Sequence, residues 1–257
     1  MRNFVISVLV FSTALAIASP AMAQRPVIRR VTMATVKPGS VTEFESAVKE
    51  YNAAYAKISG VVNRGSFQSL TGPLQFVLVR DYDKWSDLDP GAASKAIAGS
   101  AEIARINSRI ANCVESQTNL IEELLPMLST PGRMAEPPKL IRLSRSRIQP
   151  AKTEEFEALV KNELMPAYLK AGAKSFTVRR VRFGGPTNDY YISTRMNNWA
   201  DVDNSLRKSM GDAAYNAMVK KLTALTISRE INVYRFREDL SFSAQAPAAA
   251  TGSSATR

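Results

Sequence analysis

The 257-residue sequence contains no histidine and one cysteine, Cys113. The first absence excludes a histidine-activated nucleophile, a histidine-ligated haem, a histidine-containing zinc site and a histidine proton shuttle. The second excludes an intrachain disulfide, and Cys113 is expected to be a buried structural thiol rather than a reactive one. Acidic residues are also in deficit: 23 Asp and Glu stand against 34 Lys and Arg, a formal net charge of +11. What is present in quantity is hydrophobic residues, 45% of the chain, enough for an ordinary core and too many for global disorder. The length suits one or two domains.

The two ends read differently from the middle. Residues 1–23, MRNFVISVLVFSTALAIASPAMA, have the layout of a secretory signal. Arg2 supplies the positive start, residues 4–17 the apolar run, and Ala21-Met22-Ala23 the small-x-small pattern before a cleavage expected at Gln24. The run is shorter than the roughly 18–20 residues of a spanning helix, and Pro20 interrupts it. No cysteine follows it to carry a lipid, and no later stretch is long and apolar enough to span a bilayer. The expected mature protein is soluble and periplasmic or secreted in a bacterium. Residues 242–257, FSAQAPAAATGSSATR, lack periodicity and are expected to be a disordered tail.

The middle is written twice. At an offset of 112, Arg30 matches Arg142, Pro38 matches Pro150, Glu43-Phe44-Glu45 matches Glu155-Phe156-Glu157, and Leu128-Ser129 matches Leu240-Ser241. Trp85, Asp87 and Asp89 match Trp199, Asp201 and Asp203 at 114. The repeats are assigned to 24–130 and 139–241, joined by the Pro-rich linker 131–138. Hydrophobic periodicity and turn residues predict strands over 27–36, 61–70, 74–82 and 114–125 in the first copy. Helices are predicted from about 40 to 55 and from 92 to 112, the first opened by a capping box at Ser40 and Glu43. The second copy reads strand 139–148, helix 152–171, strands 174–183 and 187–196, helix 204–224 and strand 227–237. Each copy is a β-α-β-β-α-β ferredoxin-like unit. One such unit leaves a face of its sheet bare, so two are expected to join those faces into one α+β, intrachain pseudo-symmetric barrel.

The strand–VKPGSVTEFE–helix opening, repeated as RIQPAKTEEFE, and the DYDKWSDLD segment, repeated as TRMNNWADVD, resemble the dimeric α/β-barrel superfamily. That group includes NIPSNAP-type and antibiotic-biosynthesis-monooxygenase-type proteins. The resemblance spans about 30–241 and implies a fold more than an activity. Its haem-degrading, haem-peroxidase and chlorite-dismutase members imply an axial histidine, which this chain lacks, so their chemistry does not carry over. The layout is also similar to exported bacterial proteins with tandem copies of the unit.

Strand alternation places Arg30 with Thr32, and Arg142 with Ser144 and Ser146, on one face of the two opening strands. The partner faces, Val31 and Met33 or Ile141 and Leu143, suit packing against helices, so the arginine faces are expected to line the barrel. Arg30, Thr32, Arg142 and Ser144, walled by Tyr191 with Tyr190 and Phe76, describe a positive cavity for a small anionic or amphipathic ligand. The competing reading for the aromatics is core packing. Trp85 and Trp199 read as structural plugs between sheet and helix. The acidic cluster of Asp81, Asp83, Asp87, Asp89, Asp201 and Asp203 lacks the glycine and final glutamate of a calcium loop and reads as turn formation. Gly184-Gly185-Pro186 reads as a hairpin turn, since a strand follows it. No catalytic residue, cofactor or metal is specified. Residues 24–130 carry twelve basic and eleven acidic residues; 131–241 carry twenty and twelve. That excess suggests an anionic envelope partner or a solvated basic face, and no nucleic-acid-binding motif is present. The leading expectation is ligand binding in the barrel. The alternatives are a cofactor-independent oxidoreductase using Tyr and Arg, and a basic adhesion module.

Overall fold

The computed structural model describes residues 27–131, 136–202 and 206–244. The expected signal at 1–23, linker residues 132–135, Asp203 and residues 245–257 of the expected tail lie outside the described residues. The first repeat comprises β1 (Ile28–Val36), α1 (Val41–Ala56), β2 (Gly65–Ser69), β3 (Gln75–Tyr82), α2 (Ala92–Gly99), α3 (Ala101–Cys113) and β4 (Val114–Leu124). The second comprises β5 (Leu140–Ile148), α4 (Thr153–Leu159), α5 (Met165–Lys170), β6 (Phe176–Phe183), β7 (Asp189–Met196), α6 (Leu206–Met210), α7 (Asp212–Leu225) and β8 (Thr226–Phe236). A π-helical turn, Val160–Leu164, joins α4 to α5.

Two local expectations are corrected. The single helix expected after the tryptophan turn is broken in both copies at matching glycines. Gly99 ends α2, and the Ser100 hydroxyl accepts the Ile103 N–H at 3.2 Å to start α3. Gly211, at φ 80°, separates α6 from α7. The capping box at Ser40 does not form. Pro38–Ser40 makes a 3-10 turn that leaves Ser40 at φ −110° and ψ 8°, outside the extended conformation a capping serine uses. Glu43 instead pairs with Arg109 at 2.8 Å.

All eight strands close one antiparallel barrel in the order β1-β3-β2-β8-β5-β7-β6-β4. Each repeat contributes a four-stranded sheet, and the seams are β2 with β8 and β4 with β6. Closure removes every sheet edge that a lone repeat would expose. The duplication extends to irregularities: the ladder slips between Thr35 and Val36 in one copy and between Arg147 and Ile148 in the other.

The repeats also exchange their last residues, which explains the repeated Leu-Ser pair. Leu128 packs into the helix layer of the second repeat, and Ser129 Oγ accepts the Val178 N–H at 2.9 Å. Leu240 packs into the helix layer of the first repeat, and Ser241 Oγ accepts the Ser66 N–H at 3.0 Å. Arg237 fastens the same seam through Glu45 and Gln68. The chain continues in register past the expected start of the tail. Phe242 bridges Arg64 and lies edge-on to Tyr55 at 5.0 Å.

The facing of the opening strands is the reverse of the expectation. Val31, Met33 and Leu143 point into the barrel, where they pack with Val77, Leu120, Val181, Tyr191 and Tyr234. Ile28, Ala34, Val36 and Ile148 point outward beneath the helices, and Arg30, Thr32, Arg142 and Ser144 share that outward face. The barrel interior is therefore filled, by an apolar centre and by buried charges, Glu122 and Arg179 among them. Arg29 grips Asp81 with contacts of 2.7 and 2.9 Å, and Arg145 and Arg147 both hold the buried Asp189 at 2.7 Å.

Candidate functional site

The expected ligand residues separate into three places. Tyr191 is buried inside the barrel. Arg30 is exposed on the outer face of β1, and Thr32 beside it donates to Asn119 Oδ1 at 2.8 Å. Arg142 and Ser144 lie on the outer face of β5, at a cleft of about 560 Å³ between the second repeat's sheet and its helices. A cavity of that size accommodates a small organic molecule.

The cleft is built from β5, β7 and β8 below and from α5, α6 and α7 above. Its apolar wall includes Met196, Leu206, Met218, Leu222 and Val233, all buried. Its polar end is held by two arginines. Arg142 donates from Nη1 to the Tyr168 hydroxyl at 2.6 Å, its guanidinium lying 5.6 Å from the centre of that ring. Arg229 donates from Nε to Ser144 Oγ at 3.2 Å. Burial, together with the neighbouring charge of Arg142, holds the Arg229 guanidinium below its ordinary pKa. Among the described residues neither arginine forms an ion pair with a carboxylate. The two acidic side chains on the lining lie elsewhere: Glu136 is exposed, and Asp201 accepts the Asn197 N–H at 2.6 Å. Lys139, Lys174 and Arg195 add to the positive lining.

Other expectations fall out of this geometry. Trp85 and Trp199 are not plugs: they are 41% and 51% exposed, each opening a 3-10 turn, and Trp199 forms part of the cleft rim. Tyr190 and Phe76 pack in the helix layers. Tyr190 donates to Glu157 at 2.6 Å, and the Phe76 ring packs at a tilt against Phe44. Burial first, and Glu157 second, raise the Tyr190 phenol pKa; burial raises that of Tyr191. Neither is poised as a phenolate. Asp87 and Asp201 close the tryptophan turns, and Asp81 serves the barrel, as turn and structural roles require. Burial raises the pKa of the Cys113 thiol.

Several arginines on the basic strands of the second repeat have partners within the protein. Arg145 and Arg147 hold Asp189, Arg182 pairs with Glu123, and Arg180 donates to the Thr187 carbonyl. Arg229, Tyr168 and Tyr215 were missing from the sequence-derived site. The available signal was Arg229 itself, an arginine at an alternating position otherwise filled by Ile227, Ile231 and Val233. Among the described residues no group of three His, Cys, Asp or Glu is placed to hold a metal, and no helix is long and apolar enough to cross a membrane.

The sequence matches no protein-family model and no curated protein. Its fold is similar to that of several solved structures. An anthrone oxidase-like protein aligns over 89% of this chain and 98% of its own, with 12% identity and a TM-score of 0.63. A protein from Lactobacillus acidophilus carrying a provisional monooxygenase label covers 85% and 96%, at 13% identity and a TM-score of 0.54. A NIPSNAP family protein from Agrobacterium tumefaciens covers 38% and 84%, at 23% identity and a TM-score of 0.32. The first two alignments span both repeats, so the likeness is one of fold: two ferredoxin-like units closing a single α/β barrel.

Proposed function

We propose that the second repeat binds a small amphipathic organic anion in the cleft between its sheet and helices. The observation that carries this reading is the pair Arg142 and Arg229, which enter an apolar-walled cleft without a carboxylate to neutralise them. An incoming carboxylate or sulfonate would supply the missing charge and accept from the guanidinium groups. Its apolar body would lie against Met196, Met218 and Leu222. The ligand site is thus moved from the barrel interior to its outside. Export to the periplasm or beyond is part of the proposal and is supported by residues 1–23.

The test is titration with two anionic probes, anilinonaphthalene sulfonate by fluorescence and decanoate by competition. Wild type is expected to bind both at one saturable site. Arg142→Gln combined with Arg229→Gln should weaken binding by at least tenfold, since truncating a charge-assisted partner typically costs about 2 kcal/mol or more. Equal affinities in wild type and double variant would refute the site.

A second reading is favoured by the aromatic content of the same cleft. Tyr168, pinned by Arg142, and the rim residue Trp199 offer faces for an electron-rich aromatic substrate. In this reading the cleft oxidises that substrate with dioxygen, as the names of two structures of the same fold suggest. Oxygen uptake with an anthrone as substrate distinguishes the two. Uptake that falls in Arg142→Gln supports oxidation; none above the protein-free rate leaves binding alone.

A further inference from the structure

The outer face of the first repeat carries a row of three arginines. Arg30 on β1 stands directly opposite Arg80 on β3. Gly65 pairs with Val79, so Arg64, one residue before β2, continues the register beside Arg80. Like charges at directly opposed positions destabilise a sheet unless something neutralises them. The equivalent row of the second repeat is Val233, Arg142, Thr194 and Phe176, with one arginine in place of three.

The row runs from the surface into the protein. Arg30 is exposed, Arg80 is half-buried and Arg64 is 5% exposed. From α1 above, Tyr51 lies 4.8 Å from the Arg64 guanidinium and Tyr55 lies 5.4 Å from that of Arg80. Arg64 donates from Nη2 to Asn52 Oδ1. The Nε atoms of both Arg64 and Arg80 are buried without a hydrogen-bond partner. Among the described residues no carboxylate pairs with any of the three. Burial, with the charge of Arg80 beside it, brings the Arg64 guanidinium down to about 10. Two unpartnered buried donors and three unneutralised charges are a high-cost arrangement. A bound anion removes both costs at once.

We propose that Arg30, Arg80 and Arg64 form a second ligand site, separate from the cleft of the other repeat, for a small multiply charged oxyanion of the phosphate class. Three guanidinium groups suit an anion with several oxygens and more than one charge, whereas the two arginines and apolar wall of the other cleft suit a singly charged amphipathic one. The exposed Arg30 supplies the entry, and Arg80 and Arg64 the inner contacts.

The experiment is calorimetric titration of the full chain with pyrophosphate in low-salt buffer, with decanoate as the comparison ligand. Wild type should bind one pyrophosphate saturably. Arg80→Gln should weaken it at least tenfold and Arg30→Gln, at an exposed position that does not threaten folding, several-fold. Arg142→Gln should leave pyrophosphate affinity within twofold while lowering decanoate affinity. In the absence of ligand, Arg80→Gln should raise the thermal midpoint, because it relieves like-charge crowding. No pyrophosphate binding by wild type, or wild-type affinity in both Arg30→Gln and Arg80→Gln, would overturn the site. Equal loss in Arg142→Gln would overturn it too, by showing a general charge effect.

Discussion

Replacing Arg229 by Met together with Ser144 by Ala should stabilise the ligand-free protein and weaken its hold on anionic probes. Arg229 is partly withdrawn from water, lies near the positive Arg142, and makes one hydrogen bond, to Ser144. Full burial of an unpaired charge costs several kcal/mol, and this half-buried group should carry a fraction of that, about 1–2 kcal/mol. The hydrogen bond to Ser144 returns only about 1 kcal/mol. Changing Arg229 alone would strand the Ser144 hydroxyl, 1% exposed, at a cost of about 1–3 kcal/mol, which is why both partners are changed. Methionine keeps most of the unbranched stem that packs in the cleft. The expected net is a gain of about 1 kcal/mol, or a rise of about 2–4 °C in the thermal midpoint for a protein of this size. Calorimetry without ligand measures the gain, and anilinonaphthalene sulfonate fluorescence measures the loss of affinity, about tenfold or more. A double variant that loses more than about 1 kcal/mol would show that Arg229 is a structural residue, and the reasoning would fail.

Two further outcomes test the architecture. Gly184 turns the chain between β6 and β7 at φ 83°, and a Cβ there would run into the Asn119 carbonyl of β4. Gly184→Ala should cost about 1–3 kcal/mol from backbone strain alone, seen as a lower urea midpoint; an unchanged midpoint would contradict the seam as described. Burial pushes the Asp189 carboxyl up, but hydrogen bonds from Arg147 and Arg145 and their charges outweigh it and hold the carboxyl below its usual pKa. The stability it contributes is therefore present above the unfolded-state value of about 3.9 and is lost as pH falls through the lower folded-state value. Asp189→Asn should cost about 2–3 kcal/mol at neutral pH, less than a fully buried pair because both arginines reach solvent. The two unfolding curves should converge in acid, and a gap that persists there would remove the carboxylate from the explanation.

Much of the architecture was legible because its signals are local. Pro38 and Pro150, the tryptophan turns, the Gly184-Gly185-Pro186 hairpin and the 3.6-residue periodicity of Phe44, Ala47, Val48 and Tyr51 each act within a few residues. The Gly99 and Gly211 breaks were equally local, and their match at 112 was there to be read. The facing of the strands was not local. β1 and β5 are covered on both sides, by helices outside and by the opposite sheet inside, so both faces carry apolar residues and alternation does not say which is which. Val31 and Met33 suit either layer; only closure of the barrel put them inside.

The cleft shows the same division more sharply. Arg142, Tyr168, Tyr215 and Arg229 lie on four elements separated by up to 87 residues, and no spacing rule links them. Arg30, Arg64 and Arg80 become one row only through strand register. The absence of histidine, the surplus of arginine, the duplicated unit and the need to cover a bare sheet face were properties of the sequence itself, because composition and periodicity are carried by the chain. Which arginines are neutralised was decided by the tertiary structure alone. Pairing of β1 with β3 and of β5 with β7 gives Arg29, Arg145 and Arg147 their carboxylates; among the described residues Arg142, Arg229, Arg30, Arg64 and Arg80 have none. Charge compensation depends on distance in space, and the chain encodes that distance only once it has folded.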